Sequence, residues 1–289
     1  MSQINELYEK LINAMGVAGL NIPTTCVKFY TNHDTIPDEI LEYHPDNISV
    51  TSCQANKQAS LGDVILLTKK NIGCIAAAIT FGLVDENDEN SFQGSRIYTD
   101  IMKEQSLLGE NFNPPSPKSF TEGIVYACKS SNHQEYCLFG ESDTGRYKNA
   151  EIARKAIKDM IAIQPPTTQA VFFFTKNFSE INITPDIIVL SVRPVELIRL
   201  IQAYQYNTGT RVTASMGSVR VVNSDLIVRP FLTGKINISS YCIGARLIAE
   251  YDANRLGMGM PFSIFQDIVI GMEESKGGYP FHLYPGAEE

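Results

Sequence analysis

A chain of 289 residues with 44% hydrophobic and 19% charged residues has the composition of an ordinary globular protein, long enough for one large domain or two smaller halves around a shared core. No apolar run approaches the roughly 20 residues that cross a bilayer, and the opening Met1-Ser2-Gln3-Ile4-Asn5-Glu6 lacks the basic start and apolar stretch of a secretory signal, so a cytoplasmic location without a membrane partner is expected. The formal net charge of −8 offers no long-range attraction to phosphate backbones, which sets nucleic acid aside as a partner.

Leu7, Leu11, Ile12 and Met15 recur at helical spacing from Ile4 on, and Gly16 and Gly19 follow as stop signals, so the chain opens with an amphipathic helix. Thr24 to Tyr30 alternates and is rich in β-formers, Pro37 starts a helix to Tyr43, and residues 48–52 are strand-like. Gln54 to Leu61 reads as a short helix, residues 63–68 as an apolar strand and Ile75 to Phe81 as a small, buried helix. The stretch 84–149 is rich in Asp, Glu, Asn, Ser and Pro, with Asn113-Pro114-Pro115-Ser116-Pro117 at its centre, and reads as connector plus insertion. Beyond it lie a helix over 150–163, strands over 170–175 and 186–192, a helix over 194–206 and a strand over 211–215. Gly257-Met258-Gly259-Met260-Pro261 reads as a tight turn before a closing helix from Ser263 to Met272, and the tail from Glu273 reads as loose. The fold class is α/β or α+β, a mixed sheet flanked by helices.

One context occurs twice. Leu67-Thr68-x-Lys70 precedes Cys74-Ile75-x-Ala77, and Leu232-Thr233-x-Lys235 precedes Cys242-Ile243-x-Ala245. Cys242 follows Cys74 by 168 residues (242 − 74), while Pro185, Val212 and Thr213 follow Pro23, Val50 and Thr51 by 162 (185 − 23). At that offset Cys53 faces Ser215. A repeat this long is no solenoid period, so it predicts two pseudo-symmetric halves from an internal duplication. The halves are 1–84 and 150–289, joined by the insertion 85–149, and together they form one compact domain with any cleft between them.

Further residues resemble a known family. Val27-Lys28-Phe29, Cys53-Gln54-Ala55, Leu67-Thr68 with Cys74, Pro185 to Val189, Leu200 to Tyr204 with Thr208-Gly209-x-Arg211-Val212-Thr213, and Leu232-Thr233-Gly234 ahead of Cys242-x-Gly244-x-Arg246 resemble the DUF169 proteins, an archaeal and bacterial group of uncharacterised function. The resemblance covers most of the chain outside residues 85 to 145. It brings no established activity, and what it implies is the importance of Cys53, Cys74 and Cys242.

Six cysteines without a disulfide framework suit thiol chemistry, metal ligation or packing. Cys53, Cys74 and Cys242 lie far apart in sequence with no C-x-x-C pair, so a metal site made of them has to be assembled by the fold. Brought to one cleft they would offer three soft thiolate ligands, a set that suits an iron–sulfur cluster with one iron left open. Without metal, a thiol just ahead of a helix is favoured as thiolate by the helix dipole, and Arg246 one turn on from Cys242 adds to this. The plain alternative is that a cysteine is a small buried hydrophobe, and for Cys26 within an apolar strand that reading dominates. Cys128-x4-His133-x3-Cys137 in the insertion is an incomplete metal-ligand set.

P-loop, nucleophile-elbow and zincin patterns are absent from the sequence, which argues against those chemistries. His33, His44, His133 and His282 fall in loops or the tail, and the run Asp85, Glu86, Asp88, Glu89 reads as a solvated face. The leading expectation is a cysteine-dependent redox or cofactor-binding protein whose metal ligands are Cys53, Cys74 and Cys242, with a small-molecule substrate or redox partner. The alternative is a non-catalytic sensor that binds a small anion through Arg211 and Arg246, its cysteines being packing.

Overall fold

The computed structural model describes residues 2–15, 21–44, 49–85, 87, 93–105, 115–127, 145–163 and 167–275. In chain order the first elements are α1 (Gln3–Met15), β1 (Thr24–Thr31), α2 (Asp38–Leu41), α3 (Ser52–Leu61), β2 (Val64–Leu67) and α4 (Ile75–Thr80). Next come α5 (Gln93–Glu104), α6 (Pro117–Thr121), α7 (Ile124–Ala127), α8 (Ala150–Lys158), β3 (Thr168–Thr175), β4 (Ile187–Val192) and α9 (Pro194–Thr208). A π-helix (Val222–Val228) runs directly into α10 (Arg229–Thr233), followed by β5 (Asn237–Ser240), α11 (Ile243–Ile248), β6 (Leu256–Pro261) and α12 (Phe262–Glu274). The six strands form one antiparallel sheet in the order β2-β3-β1-β4-β6-β5, so the chain is an α/β protein.

The chain divides into two compact units of interleaved segments, one of 1–28, 56–64 and 173–289, the other of 29–55 and 65–172. The first unit is built on the start of β1 with β4, β6 and β5. Antiparallel pairing sets Thr24 against Leu190 and Val27 against Ile187, then Ile188 against Met260 and Ser191 against Gly257, then Asn237 against Gly259. α1 supplies Ile4, Tyr8, Leu11, Ile12 and Met15 to this unit's core, the recurrence of one helix face. Ser2 caps it, its Oγ accepting from the Asn5 N–H at 3.2 Å.

Gly257 and Gly259 lie within β6, not in a turn. A Cβ at either position would collide with Leu226 of the π-helix, so the two glycines let the wide helix press onto the strand backbone. The closing helix α12 begins one residue before the expected Ser263 and runs on through Glu274. The expected strand over 211–215 is absent: residues 209–217 have no regular structure, and most are exposed. Asn237 takes the place of a neighbouring strand there, its Oδ1 accepting from the Ser215 N–H at 2.8 Å and its Nδ2 donating to the Ser215 carbonyl at 2.9 Å.

One buried ion cluster and one buried arginine fasten the helices of the first unit. Glu196, its side chain 1% exposed, accepts from Arg193 Nε at 3.0 Å and Arg255 at 3.2 Å, and from the Arg193 backbone N–H at 2.7 Å, which closes the start of α9. Arg199, a large side chain that is fully buried, donates to the Met272 carbonyl at 2.9 Å and the Ser275 carbonyl at 2.8 Å, satisfying the C-terminal end of α12.

The second unit holds the end of β1, most of β2 and the first part of β3, with α2 and α4 to α8. Its core includes Phe29, Phe81 and Phe172, Phe29 meeting Phe81 edge-on at 5.8 Å between ring centres. The stretch expected to be connector and insertion carries three helices among its described residues, and α5 is the one that reaches the cysteines.

Candidate functional site at paired cysteines

Val50 and Ile72 form a parallel bridge outside the sheet. The Val50 N–H donates to the Asn71 carbonyl at 3.2 Å and the Gly73 N–H to the Val50 carbonyl at 2.8 Å. The two segments therefore run side by side in one direction, and each turns into a helix just past the bridge. Cys53 lies in the first turn of α3, and Cys74 is the N-cap of α4. Both cysteines thus follow the same end of the bridged pair, at the starts of two helices.

Local sequence fixes each approach. Thr51 and Gln54 cap α3 reciprocally: Gln54 Oε1 accepts from the Thr51 N–H at 2.9 Å, and the Gln54 N–H donates to Thr51 Oγ1 at 3.2 Å, a capping box that holds the first turn and Cys53 within it. Asn71 builds the other approach. Its Oδ1 accepts from the Thr68 N–H at 2.7 Å, its Nδ2 donates to the Leu66 carbonyl at 2.8 Å, and its carbonyl accepts from Ser49 Oγ at 2.9 Å. His44 Nε2 lies 2.9 Å from Thr68 Oγ1 at the same turn.

α5 packs onto this turn backbone to backbone. A Cβ on Gly94 would stand 2.6 Å from the Ile72 amide nitrogen, and a Cβ on Gly73 would stand 2.7 Å from Tyr98 Cγ. The Tyr98 ring thus rests on the residue just before Cys74. Its hydroxyl is buried without a hydrogen-bond partner among the described residues. Burial is the main cause that holds this phenol above the ordinary tyrosine range, and negative charge on Cys74 and then Cys53 adds to it. That coupling puts both thiols within electrostatic reach of one phenol, which stays neutral and a donor.

Cys53 and Cys74 are half-buried thiols that are not joined as a disulfide. Cys53 lies in the first turn of the ten-residue helix α3. A cysteine sulfur is by its chemistry a soft metal ligand and a nucleophile for thiol exchange. Among the described residues no group of three or more His, Cys, Asp and Glu side chains is placed to hold a metal ion.

Cys242 belongs to the other unit, where it is the N-cap of α11. Like Cys74 it has extended backbone ahead of a six-residue helix. The preceding pairs differ: Leu67 ends strand β2, whereas Leu232 and Thr233 end helix α10. Cys26 is fully buried in β1, and burial drives its thiol far above the usual range. Arg246 is bound to its own unit's backbone, Nε donating to the Tyr241 carbonyl at 3.2 Å and Nη1 to the Asp252 carbonyl at 2.9 Å, and Arg211 is exposed. His33 is exposed too, while Cys128, His133, Cys137 and His282 lie outside the described residues.

Tyr98 and the Thr51–Gln54 cap were not singled out by sequence reasoning. Thr51-x-x-Gln54 is a legible capping signature, and Ile97, Tyr98, Ile101 and Met102 recur at helical spacing inside the polar stretch.

Comparison with known proteins gives two matches. The profile of the DUF169 family, described as "Uncharacterised ArCR", matches residues 17–271. The "Uncharacterized protein MJ0308" of Methanocaldococcus jannaschii is 24% identical over 132 residues, which is 46% of this chain and 55% of that relative. The chain thus matches about half the length of its curated relative. No solved structure matches. Among the described residues no helix is long and apolar enough to cross a membrane.

Proposed function

The chain belongs to the DUF169 family, and we propose that it is a cysteine-dependent redox or cofactor-binding protein whose chemistry centres on Cys53 and Cys74. What supports the reading is one observation: two cysteines from separate segments begin two helices at the same end of a parallel bridge, beside a buried phenol whose hydroxyl lacks a partner among the described residues. Packing alone does not require a half-buried thiol at each of these helix starts, since Cys26 serves packing from a strand where it is fully buried. An iron–sulfur cluster is the cofactor class that suits such sulfurs. In that form of the reading Cys53 and Cys74 would supply two of its ligands.

The test is anaerobic purification of the full chain followed by iron and acid-labile sulfide analysis, a visible spectrum and timed thiol alkylation. Expected is either bound iron with sulfide that is lost in Cys53→Ser and Cys74→Ser, or metal-free protein in which these two thiols react faster than a cysteine in an unfolded peptide. The Cys242→Ser variant, run in parallel, decides whether that residue is also a ligand. A colourless, iron-free protein whose Cys53 and Cys74 react no faster than the peptide thiol overturns the proposal.

A further inference from the structure

We infer that an open cavity beside the start of α1 binds a neutral, ring-bearing small molecule with an N–H or hydroxyl group on its edge. The inference is independent of the cysteine-centred reading. The cavity lies within the first unit, between the first residues of α1, the residues 178–185 that connect β3 to β4, and Phe262 at the start of α12. It encloses about 310 Å³, within the span of about 300–1,000 Å³ usual for small-molecule sites. Hydrogen bonds fix its frame. Ser2 Oγ donates to the Lys176 carbonyl at 2.6 Å, tying the start of α1 to the residue just past β3. The Phe178 N–H donates to the Thr175 carbonyl at 3.0 Å, the Asp186 N–H to the Val27 carbonyl at 2.8 Å and the Phe262 N–H to the Asp186 carbonyl at 3.1 Å. Both ends of the connecting residues are thereby pinned, so a ligand enters a site that is already formed.

The wall sets the kind of ligand. None of the described residues that line it is ionisable, and Glu180, which falls among the connecting residues, is exposed and not part of the wall. The neighbouring lysines are engaged elsewhere: Lys28 Nζ pairs with Asp186 at 2.8 Å, and Lys176 Nζ stands over the Tyr8 ring, 4.2 Å from its centre. A charged ligand would give up its hydration for no counter-charge, which leaves neutral molecules. Phe178 and Phe262 favour a ring, since an aromatic ligand packs on them by face or edge. Both are braced from the core, Phe178 by Phe174 at 5.6 Å between ring centres and Phe262 by Phe265 at 6.4 Å. Gln3 and Asn182 line the cavity with exposed side chains, and their carboxamides make no hydrogen bond among the described residues. Their carbonyl oxygens are acceptors for the ligand's N–H or hydroxyl.

Indole is the probe, because the chain has no tryptophan and indole fluorescence can be excited apart from that of tyrosine. The full-length protein is titrated into indole, into the anion indole-3-acetate and into the cation tryptamine. Expected is saturable binding of indole, about tenfold tighter than that of either charged analogue, and about fivefold tighter than that of 1-methylindole, which lacks the N–H. Thr184→Phe puts a ring on an exposed residue of the wall and should weaken indole about tenfold by filling the space, with the thermal midpoint unchanged. Asn182→Leu, at another exposed position, should weaken indole about fivefold and leave 1-methylindole as it was. Absence of saturable indole binding overturns the site, as does full affinity in Thr184→Phe. Equal binding of the neutral and charged probes overturns the selection of a neutral ligand. An equal loss of indole and 1-methylindole in Asn182→Leu overturns the role of its carboxamide.

Discussion

The ring of Tyr98 rests on the backbone of Gly73, so close that a single added methyl on Gly73 would stand 2.7 Å from its Cγ. The contact joins α5 to the residue that introduces Cys74. Gly73→Ala is therefore expected to displace Tyr98 and to destabilise the protein by about 1–3 kcal/mol, the usual cost of overpacking. Urea unfolding measures it, and alkylation of Cys74 in the same variant should change in rate. Wild-type stability in Gly73→Ala would show that the ring is free to move.

Three of the described cysteines divide into two kinds. Cys26→Ser places a hydroxyl in a fully buried strand position and should cost on the order of 1–3 kcal/mol with no change in thiol reactivity. Cys53→Ser and Cys74→Ser should do the opposite, removing the reactive thiols at a cost under about 1 kcal/mol because both sites are only half-buried. Thermal unfolding and timed alkylation of the three variants separate the two kinds, and identical behaviour of all three would end the cysteine-centred reading.

Asp225 gives the protein a pH dependence of the less common sign. Its carboxylate accepts from the Gly217 N–H at 3.0 Å and Ser239 Oγ at 2.9 Å, yet burial outweighs these bonds and raises its pKa above the ordinary 3.8. Between the unfolded and folded values the native state binds more protons than the unfolded chain, so Asp225 lowers stability as pH rises through that window. The stability of the wild type relative to Asp225→Asn should fall from pH 3.8 upward and level off above the folded pKa. Urea midpoints of both proteins across that range check it, and a constant difference would contradict it.

Arg199 closes the end of α12 with its own guanidinium. Arg199→Met leaves the Met272 and Ser275 carbonyls without that donor and should cost about 3 kcal/mol. Arg199→Lys should recover little, since an ammonium lacks the planar fork that serves both carbonyls at once. Denaturant midpoints for the pair decide it, and full rescue by lysine would reduce the role of Arg199 to charge alone.

Local patterns carried most elements. The spacing of Ile4, Leu11, Ile12 and Met15 marked α1, and the continuous apolar runs marked β2, β3 and β4, because burial on one face or on both leaves a periodic or unbroken signature in the chain. Pro194 marked the start of α9 for the same local reason, its fixed backbone angle. The segment 211–215 has the residues of a strand, Val212 and Thr213 among them, yet forms none, because Asn237 offers only a side chain in place of a neighbouring strand.

What the sequence determined by itself was the α/β class and the family, since propensity, periodicity and residue identity are written residue by residue. Only the tertiary structure decided that Cys53 and Cys74 follow the two arms of one bridge and that the Tyr98 ring packs on Gly73, the residue before Cys74. That juxtaposition comes from the Val50–Ile72 bridge and from the closeness of Gly94 to Ile72 and Gly73 to Tyr98, pairings between distant segments for which no local preference codes. The glycines of β6 teach the same lesson: in sequence they resemble a turn, and only the π-helix pressed against them gives their lack of a side chain its physical reason.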